Sequence, residues 1–323
     1  MSVNRVKNPV CSIIIRARNE EKNIGRLLEG IEKQTIRNVE IILVDSGSTD
    51  NTVNIAKKHN AVVVEIEPEK FTFGRSLNHG ISVAHSDVCL VASAHVYPVY
   101  SDWIEKMMKP FSDPSIALVY GKQRGSDTSQ FSEQQIFLHW YGETSQIPQE
   151  HPFCNNANSA IRKKFWYKHK YNEDLPGLED LEWAKWAIED GYKIGYVSEA
   201  EIIHVHEESI KGIFNRYMRE GMAFKQIYPH EKFSKRDLFS LFFRNVFSDA
   251  CNAKERRLLK KQFLNIIKFR WLQFYGTYRG YRRSGPLTWE LRKSFYYPRN
   301  GYKKPYDHTR NDIDPIDYQS QNL

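Results

Sequence analysis

Cysteine is scarce in this chain of 323 residues, and its four copies, Cys11, Cys89, Cys154 and Cys251, stand far apart without a Cys-x-x-Cys pair. That spacing excludes a disulfide framework and a zinc cluster built on paired thiols. Long apolar runs are missing as well. No stretch reaches the roughly 18 uninterrupted apolar residues that a membrane-spanning helix needs, and the mean hydropathy is -0.61. The opening Met-Ser-Val-Asn-Arg-Val-Lys-Asn-Pro lacks the apolar core of a secretory signal, so a cytoplasmic protein is expected. Glycine is absent from Arg16-Ala17-Arg18-Asn19-Glu20, which follows the first apolar run. The glycine-rich loop that opens a sugar-phosphate nucleotidyltransferase is therefore missing, and that reading ranks low.

What is present is a strongly divided charge. Residues 254–306 carry 15 Lys and Arg against two Glu, and residues 307–323 one Arg against four Asp. The overall +8 therefore belongs to the carboxy-terminal part, and residues 1–253 are close to neutral. Along that neutral part, apolar runs rich in β-branched residues alternate with helical periodicity. Strands are predicted at Val10 to Ile15, Val39 to Val44, Ala61 to Ile66, Val88 to Ala92 and Ile116 to Tyr120. Helices are predicted at Glu20 to Gln34, Thr52 to His59, Arg75 to His85 and Asp102 to Phe111. This alternation predicts an α/β fold, a Rossmann-like and mostly parallel sheet with helices on both faces. Ligands of such sheets bind beyond the carboxyl ends of the strands, where Asp45 and His95 fall.

Four segments occur in a fixed order: Cys11 to Glu20, then Val44-Asp45-Ser46-Gly47-Ser48-Thr49-Asp50, then Ser93-Ala94-His95, then Gly177-Leu178-Glu179-Asp180. Together they resemble the family 2 glycosyltransferases of the GT-A fold, over roughly Val10 to Gly221. The resemblance implies a nucleotide-sugar donor, with Arg16, Asn19, Glu20, Asp45 and Ser48 at the strand ends that form the nucleotide pocket. Asp45 to Asp50 is also a plain strand-to-helix turn with Ser48 or Asp50 as cap. The family's Asp-x-Asp motif matches Ser93-Ala94-His95, so the first acid is missing and His95 takes the place of the metal-binding one. Imidazole suits manganese as a borderline ligand, and Mn2+ or Mg2+ is the expected cofactor. In Ile202-Ile203-His204-Val205-His206, strand alternation turns both histidines to one face. The resemblance implies that one of them completes the metal shell and the other can orient it.

By the same carry-over Asp180 is the general base and Glu179 its neighbour, although acids at a helix start also favour the helix dipole on their own. Gly74-Arg75-Ser76-Leu77-Asn78 resembles a Gly-x-x-x-Asn segment of the family, with Arg75 placed to meet a phosphate. The Asn155 to Arg162 run, with Asn156, resembles the loop that shapes the sugar and acceptor site. The Val-Asp-Ser-Gly-Ser-Thr-Asp and His-x-His elements are similar to those of bacterial enzymes that build surface polysaccharides, rhamnosyltransferases included, and imply a glycan or lipid-linked glycan acceptor.

The expected organisation is a GT-A catalytic domain at 1–228, with a nucleotide-sugar half at about 10–120 and an acceptor half at about 121–228. A basic aromatic helical extension follows at 229–296 and a loosely ordered tail at 297–323. In the extension, Leu258, Phe263, Ile266, Ile267, Trp271, Phe274 and Tyr278 interleave with Lys260, Lys261, Lys268, Arg270, Arg279, Arg282 and Arg283. That composition suits an anionic membrane surface, and it predicts peripheral attachment at the inner face of the plasma membrane. Nucleic acid is not an expected partner, since no nucleic-acid-binding motif accompanies the charge. A non-catalytic scaffold of the same fold, binding a partner through its basic helices, is the main rival, and Ser93 in place of an acid is its support.

Overall fold

The computed structural model describes residues 6–206, 208–283, 310 and 312–318. The first apolar runs form β1 (Cys11–Ala17), β2 (Val39–Asp45), β3 (Val62–Glu65) and β4 (Val88–Ser93), separated by α1 (Ile24–Glu32), α2 (Thr52–Lys58) and α3 (Phe73–Val83). After β4 come β5 (Val96–Pro98), α4 (Trp103–Met108), β6 (Ile116–Gly125), α5 (Phe131–Trp140), β7 (Asn158–Arg162) and α6 (Lys163–Trp166). The chain continues through α7 (Glu179–Glu189), β8 (Lys193–His204), α8 (Ile210–Ile227), α9 (Lys235–Glu255) and α10 (Leu259–Arg282). All eight strands share one sheet in the order β3-β2-β1-β4-β7-β6-β8-β5. The β3-β2-β1-β4 half is parallel, as is β6 with β8, while β7 and β5 pair antiparallel to their neighbours.

The sheet is covered on both faces. Successive residues of β1 alternate between two cores, Ile13 and Ile15 packing with α1 and α4, and Ile14 with α3 and α7. Trp103 fills one core and Trp166 and Trp183 the other, all essentially without solvent exposure. At roughly 2–3 kcal/mol for each large apolar side chain removed from water, these two layers are the main source of cohesion.

The region after Gly121 contains two elements that periodicity does not reveal. β7 begins Asn158-Ser159, polar residues that are fully buried because their side chains are bonded inside the protein. α5 is buried on several sides, between the sheet and the carboxy-terminal helices. Lys193–His204 is one strand, β8, kinked where its register with β6 shifts between Gly121 and Gln123.

α8 and α10 cross backbone against backbone. A Cβ placed on Gly280 would run into the Met218 carbonyl, one on Gly276 into that of Phe214, and one on Gly221 into that of Thr277. Behind this crossing, Arg270 of α10 is buried in a bidentate pair with Asp249 of α9 at 2.8 and 2.9 Å. Arg270 therefore does not belong to the basic surface, and Ile266 and Phe274 are likewise buried.

The expectation of a loosely ordered tail does not hold for residues 310 and 312–318. Arg310 pairs with Asp102, Ile316 N–H donates to the Val99 carbonyl, and the Tyr318 hydroxyl donates to the Pro98 carbonyl. Ile313 packs with Val99, Tyr100 and Ile203. These residues form a strap over β5. The remaining residues of the tail, and 284–296 of the extension, lie outside the described residues.

Gly280→Ala is expected to destabilise the protein by about 2 kcal/mol, because neither backbone at the crossing can yield without moving a helix. Chemical denaturation of the variant checks this, and an unchanged midpoint would show the crossing to be loose.

Candidate active site

The strand ends bring the amino-terminal segments to one level. Arg16 lies opposite Val44 and Ser93, and Ala17 opposite Asp45. Asp45 is buried and accepts from Gly47 N–H, Ser48 N–H and the Ser48 hydroxyl. Asn19, held at a positive φ of 53°, accepts from Thr49 N–H, and its own N–H donates to Ser48. Asp45, Ser48 and Asn19 thus brace the ends of β1 and β2 against each other. Ala94 is buried at the end of β4 beside Ser93, whose N–H reaches toward the Ala157 carbonyl.

Glycine, arginine and asparagine of the Gly74-x-x-x-Asn78 segment meet the loop at 171–173. Gly74 lies so close to the Asn172 carbonyl that no Cβ would fit. Arg75 pairs with Glu173 at 2.6 Å. Asn78 donates to the Tyr171 carbonyl and Glu173, and accepts from the Trp166 indole and Tyr171 N–H. All four hydrogen-bonding positions of its amide are taken within the protein, so Asn78 holds this loop and has no position left for a sugar hydroxyl.

Beyond β4, three histidines from two segments converge. His95 follows β4, His204 ends β8, and His206 lies two residues further; one nitrogen from each falls within 4.8 Å of the others. Each ring is fixed by its Nδ1. His95 Nδ1 meets Glu20 at 2.9 Å, His204 Nδ1 meets Gln123 at 2.9 Å, and His206 Nδ1 meets Glu133 at 2.7 Å. Glu133 is itself held by Arg216 at 2.6 Å. With Nδ1–H given to these acceptors, each Nε2 presents a lone pair. The Nε2 atoms of His204 and His206 nevertheless stand 2.9 Å apart, which requires a proton or a metal ion between them. Imidazoles that pass their other N–H to a carboxylate or carbonyl are the usual ligands of a bound cation, and this donor set fits a divalent one.

Electrostatics set His204 apart from His95. Burial, with His206, His95 and Arg216 nearby, pushes His204 well below the usual histidine range, so its imidazole is neutral. Burial would also lower His95, but the Glu20 carboxylate outweighs it and raises the ring's pKa. Burial would raise Glu133, yet His206 and Arg216 hold it down to about 2.

Arg16 links the histidines to the acids of α7. Its guanidinium pairs with Glu179 at 3.1 Å, and its charge is felt by both His95 and Asp180. α7 starts from Leu178, held in the left-handed region at φ 56°, a conformation that costs a bulky residue about 1–2 kcal/mol. The turn presents Glu179 and Asp180 side by side at the helix start, both buried. Asp180 accepts from Asn156 N–H at 2.9 Å and from Leu181 N–H at 2.8 Å, while the Asn156 side chain reaches Glu179 and Tyr171. Burial first, and the Glu179 charge second, push Asp180 up to about 7 despite those two N–H groups and Arg16. A carboxyl poised there can take a proton near neutral pH.

Sequence reasoning does not find Gln123, Glu133, Glu173, Arg216 or Arg219. Arg219 lies over the Phe73 ring at 4.8 Å, with Arg16 over the same ring at 4.7 Å, and its Nε flanks Gly177. Its only signal is a place on the helix that follows the His-x-His segment.

A family model described as "Glycosyl transferase family 2" matches residues 12–174. An O-antigen chain rhamnosyltransferase, WbaN of Salmonella anatum, is 27% identical over 206 residues, 59% of this chain and 64% of that protein. The chain thus matches just under two thirds of that relative's length. RfbN of Salmonella typhimurium, also an O-antigen chain rhamnosyltransferase, is 26% identical over 65% of this chain and 71% of its own. Among solved structures, the mannosyltransferase PcManGT of Pyrobaculum calidifontis, in complex with GDP-Man and Mn2+, superposes with a TM-score of 0.57 at 15% identity, over 84% of this chain and 86% of its own. The likeness shows the fold to be GT-A.

Two outcomes are expected of this geometry. Between about pH 4 and pH 7 the native state keeps a proton on Asp180 that the unfolded chain has lost, so wild-type stability falls across that window. Asp180→Asn should gain on the wild type by more than about 1 kcal/mol as pH rises from 5 to 8; parallel melting curves at both pH values would contradict it. Glu20→Gln, which weakens the acceptor behind His95, should lower Mn2+ affinity about tenfold by calorimetry. Unaltered affinity would remove Glu20 from that role.

Proposed function

Because the chain belongs to glycosyl transferase family 2, we propose that it moves a sugar from a nucleoside-diphosphate donor to a glycan or lipid-linked glycan acceptor, with inversion, during assembly of a surface polysaccharide. The observation that carries this reading is a proton-accepting Asp180 beside Glu179, which pairs with Arg16, together with a cluster of three imidazoles whose His95 also feels the Arg16 charge. The two rhamnosyltransferase relatives favour a deoxyhexose such as rhamnose.

In this reading Asp180 takes the proton of an acceptor hydroxyl as its oxygen bonds to the anomeric carbon. The bond from that carbon to the diphosphate breaks in the same displacement, and the nucleoside diphosphate leaves with the electron pair. Glu179 keeps Asp180 poised by like charge and is restrained by Arg16. Arg16 and Arg219, on the shared ring of Phe73, supply fixed positive charge to the departing phosphates. His95, His204 and His206 would hold Mn2+ or Mg2+, whose charge favours diphosphate departure. Asp45, Ser48 and Asn19 fix the strand-end turn against which the nucleotide rests, and Asn156 fixes the sugar side. No described helix is long and apolar enough to cross a membrane. Peripheral attachment at the inner face of the plasma membrane, through the basic helices, belongs to the same reading.

Thermal shift with uridine, guanosine, thymidine and cytidine diphosphates, each with Mn2+ or with chelator, tests donor binding. Stabilisation by one of them that depends on Mn2+ is expected; stabilisation by none would favour the non-catalytic scaffold. With the donor so identified, Asp180→Asn should keep nucleotide affinity and lower transfer about 1,000-fold. Turnover near the wild-type rate would exclude Asp180 as the base.

A further inference from the structure

α9 has two uses for its apolar residues, and only one is inward. Leu238, Val246 and Ala253 face the protein, Leu238 and Ala253 fully buried. Phe239, Phe243 and Phe247, at intervals of four, form a second stripe that is solvent-exposed, Phe243 at 64% and Phe247 at 72%. α10 extends the same surface. Trp271 lies 6.3 Å from Phe239 and 5.6 Å from Phe242 between ring centres, and Leu264, about two turns earlier, is 78% exposed. Exposed aromatic residues in such number, on adjoining helices, mark a contact surface.

Charge decides what it contacts. Arg236 precedes Phe243 by seven residues and Lys254 follows Phe247 by seven, so helical spacing puts both on the phenylalanine face. On α10, Lys260, Lys261 and Lys268 share the face of Leu264 and Trp271 by the same spacing. Residues 235–283 hold 13 Lys and Arg against three acids, and α10 holds no acid. Of those three, Asp249 is spent on the buried Arg270 and Asp237 on the Ser234 cap. A second copy of this chain would bring the same uncompensated positive charge to the contact. An anionic bilayer brings the opposite charge and an apolar layer beneath it.

We propose that the outer face of α9 and α10 docks on an anionic lipid surface, with Phe239, Phe243, Phe247, Leu264 and Trp271 entering the interface and Arg236, Lys254, Lys260, Lys261 and Lys268 contacting headgroups. This gives the peripheral attachment a contact surface and rests on the protein's working at a membrane, while nothing in it depends on the transfer chemistry. α10 packs along α8, whose first turn follows the histidine cluster, so docking here holds the catalytic body beside the lipid.

Flotation of the full chain with vesicles, without donor or metal, tests it. The protein should float with vesicles of phosphatidylcholine containing about one third phosphatidylglycerol and not with phosphatidylcholine alone, and about 0.5 M salt should release it. F243E/F247E should reduce the floating fraction about tenfold while its circular dichroism and nucleotide-dependent thermal shift stay those of the wild type. Equal binding to both vesicle types, or a variant that floats like the wild type, would overturn the proposal. So would a dimer in sedimentation velocity that F243E/F247E dissolves, if the wild type fails to float. Loss of flotation with the nucleotide shift intact would separate a failure of docking from a failure of the transfer reading.

Discussion

The hydrogen bonds on the Nδ1 atoms of His95, His204 and His206 are the constraint around which this site is organised. An imidazole has two nitrogens, and committing one to an acceptor decides both the tautomer and the direction of the other. Glu20, Gln123 and Glu133 make that commitment from three separate places, the loop after β1, strand β6 and helix α5. The sheet therefore has to bring β1, β4, β6 and β8 to one edge before any of the rings is aimed. Arg216 carries the dependence into α8, because Glu133 can remain ionised in a buried setting only with a cation against it.

A second level of support runs through the chain that precedes α7. Leu178 sits in a conformation that leucine avoids, and the loop leading to it is held at Tyr171 and Glu173 by Asn78 and Arg75. The Gly74-x-x-x-Asn78 segment thus fixes a loop rather than presenting groups to solvent. The two sides of the site answer to different forces. On the histidine side, rings and paired carboxylates are matched hydrogen bond by hydrogen bond. On the acid side, burial and like charge are left partly uncompensated, which is what keeps the Asp180 carboxyl ready to accept a proton.

Local pattern made much of this legible in the sequence. β-branched runs and helical spacing gave the first four strands and three helices to within a few residues, because each element is buried on the faces its periodicity announces. The alternation in Ile202 to His206 put His204 and His206 on one side, and they do face one another. β7 was hidden because its buried asparagine and serine look like loop residues until their partners on distant segments are known. Gln123, Glu133, Arg216 and Arg219 were hidden for a related reason: nothing near them in the chain distinguishes a polar side chain that will turn to the site from one that will meet water. In the carboxy-terminal helices the composition was informative and the faces were not, since Arg270 turned inward to Asp249 while the phenylalanines of α9 turned out.

The strap over β5 gives the chain an order of completion. Pro98 and Tyr318, which share a hydrogen bond, are 220 positions apart. β5 directly follows His95 in the chain, is the outermost strand of the sheet, and pairs with the end of β8 that carries His204. During synthesis from the amino terminus, the edge of the sheet next to two of the three histidines therefore waits for residues beyond 310 to leave the ribosome before it gains these contacts. Long-range closure of this kind comes late in folding, because the entropy of a large loop must be lost before its contacts are gained. A nascent chain lacking the strap would have its cores in place while the edge beside the histidine cluster stayed unclamped.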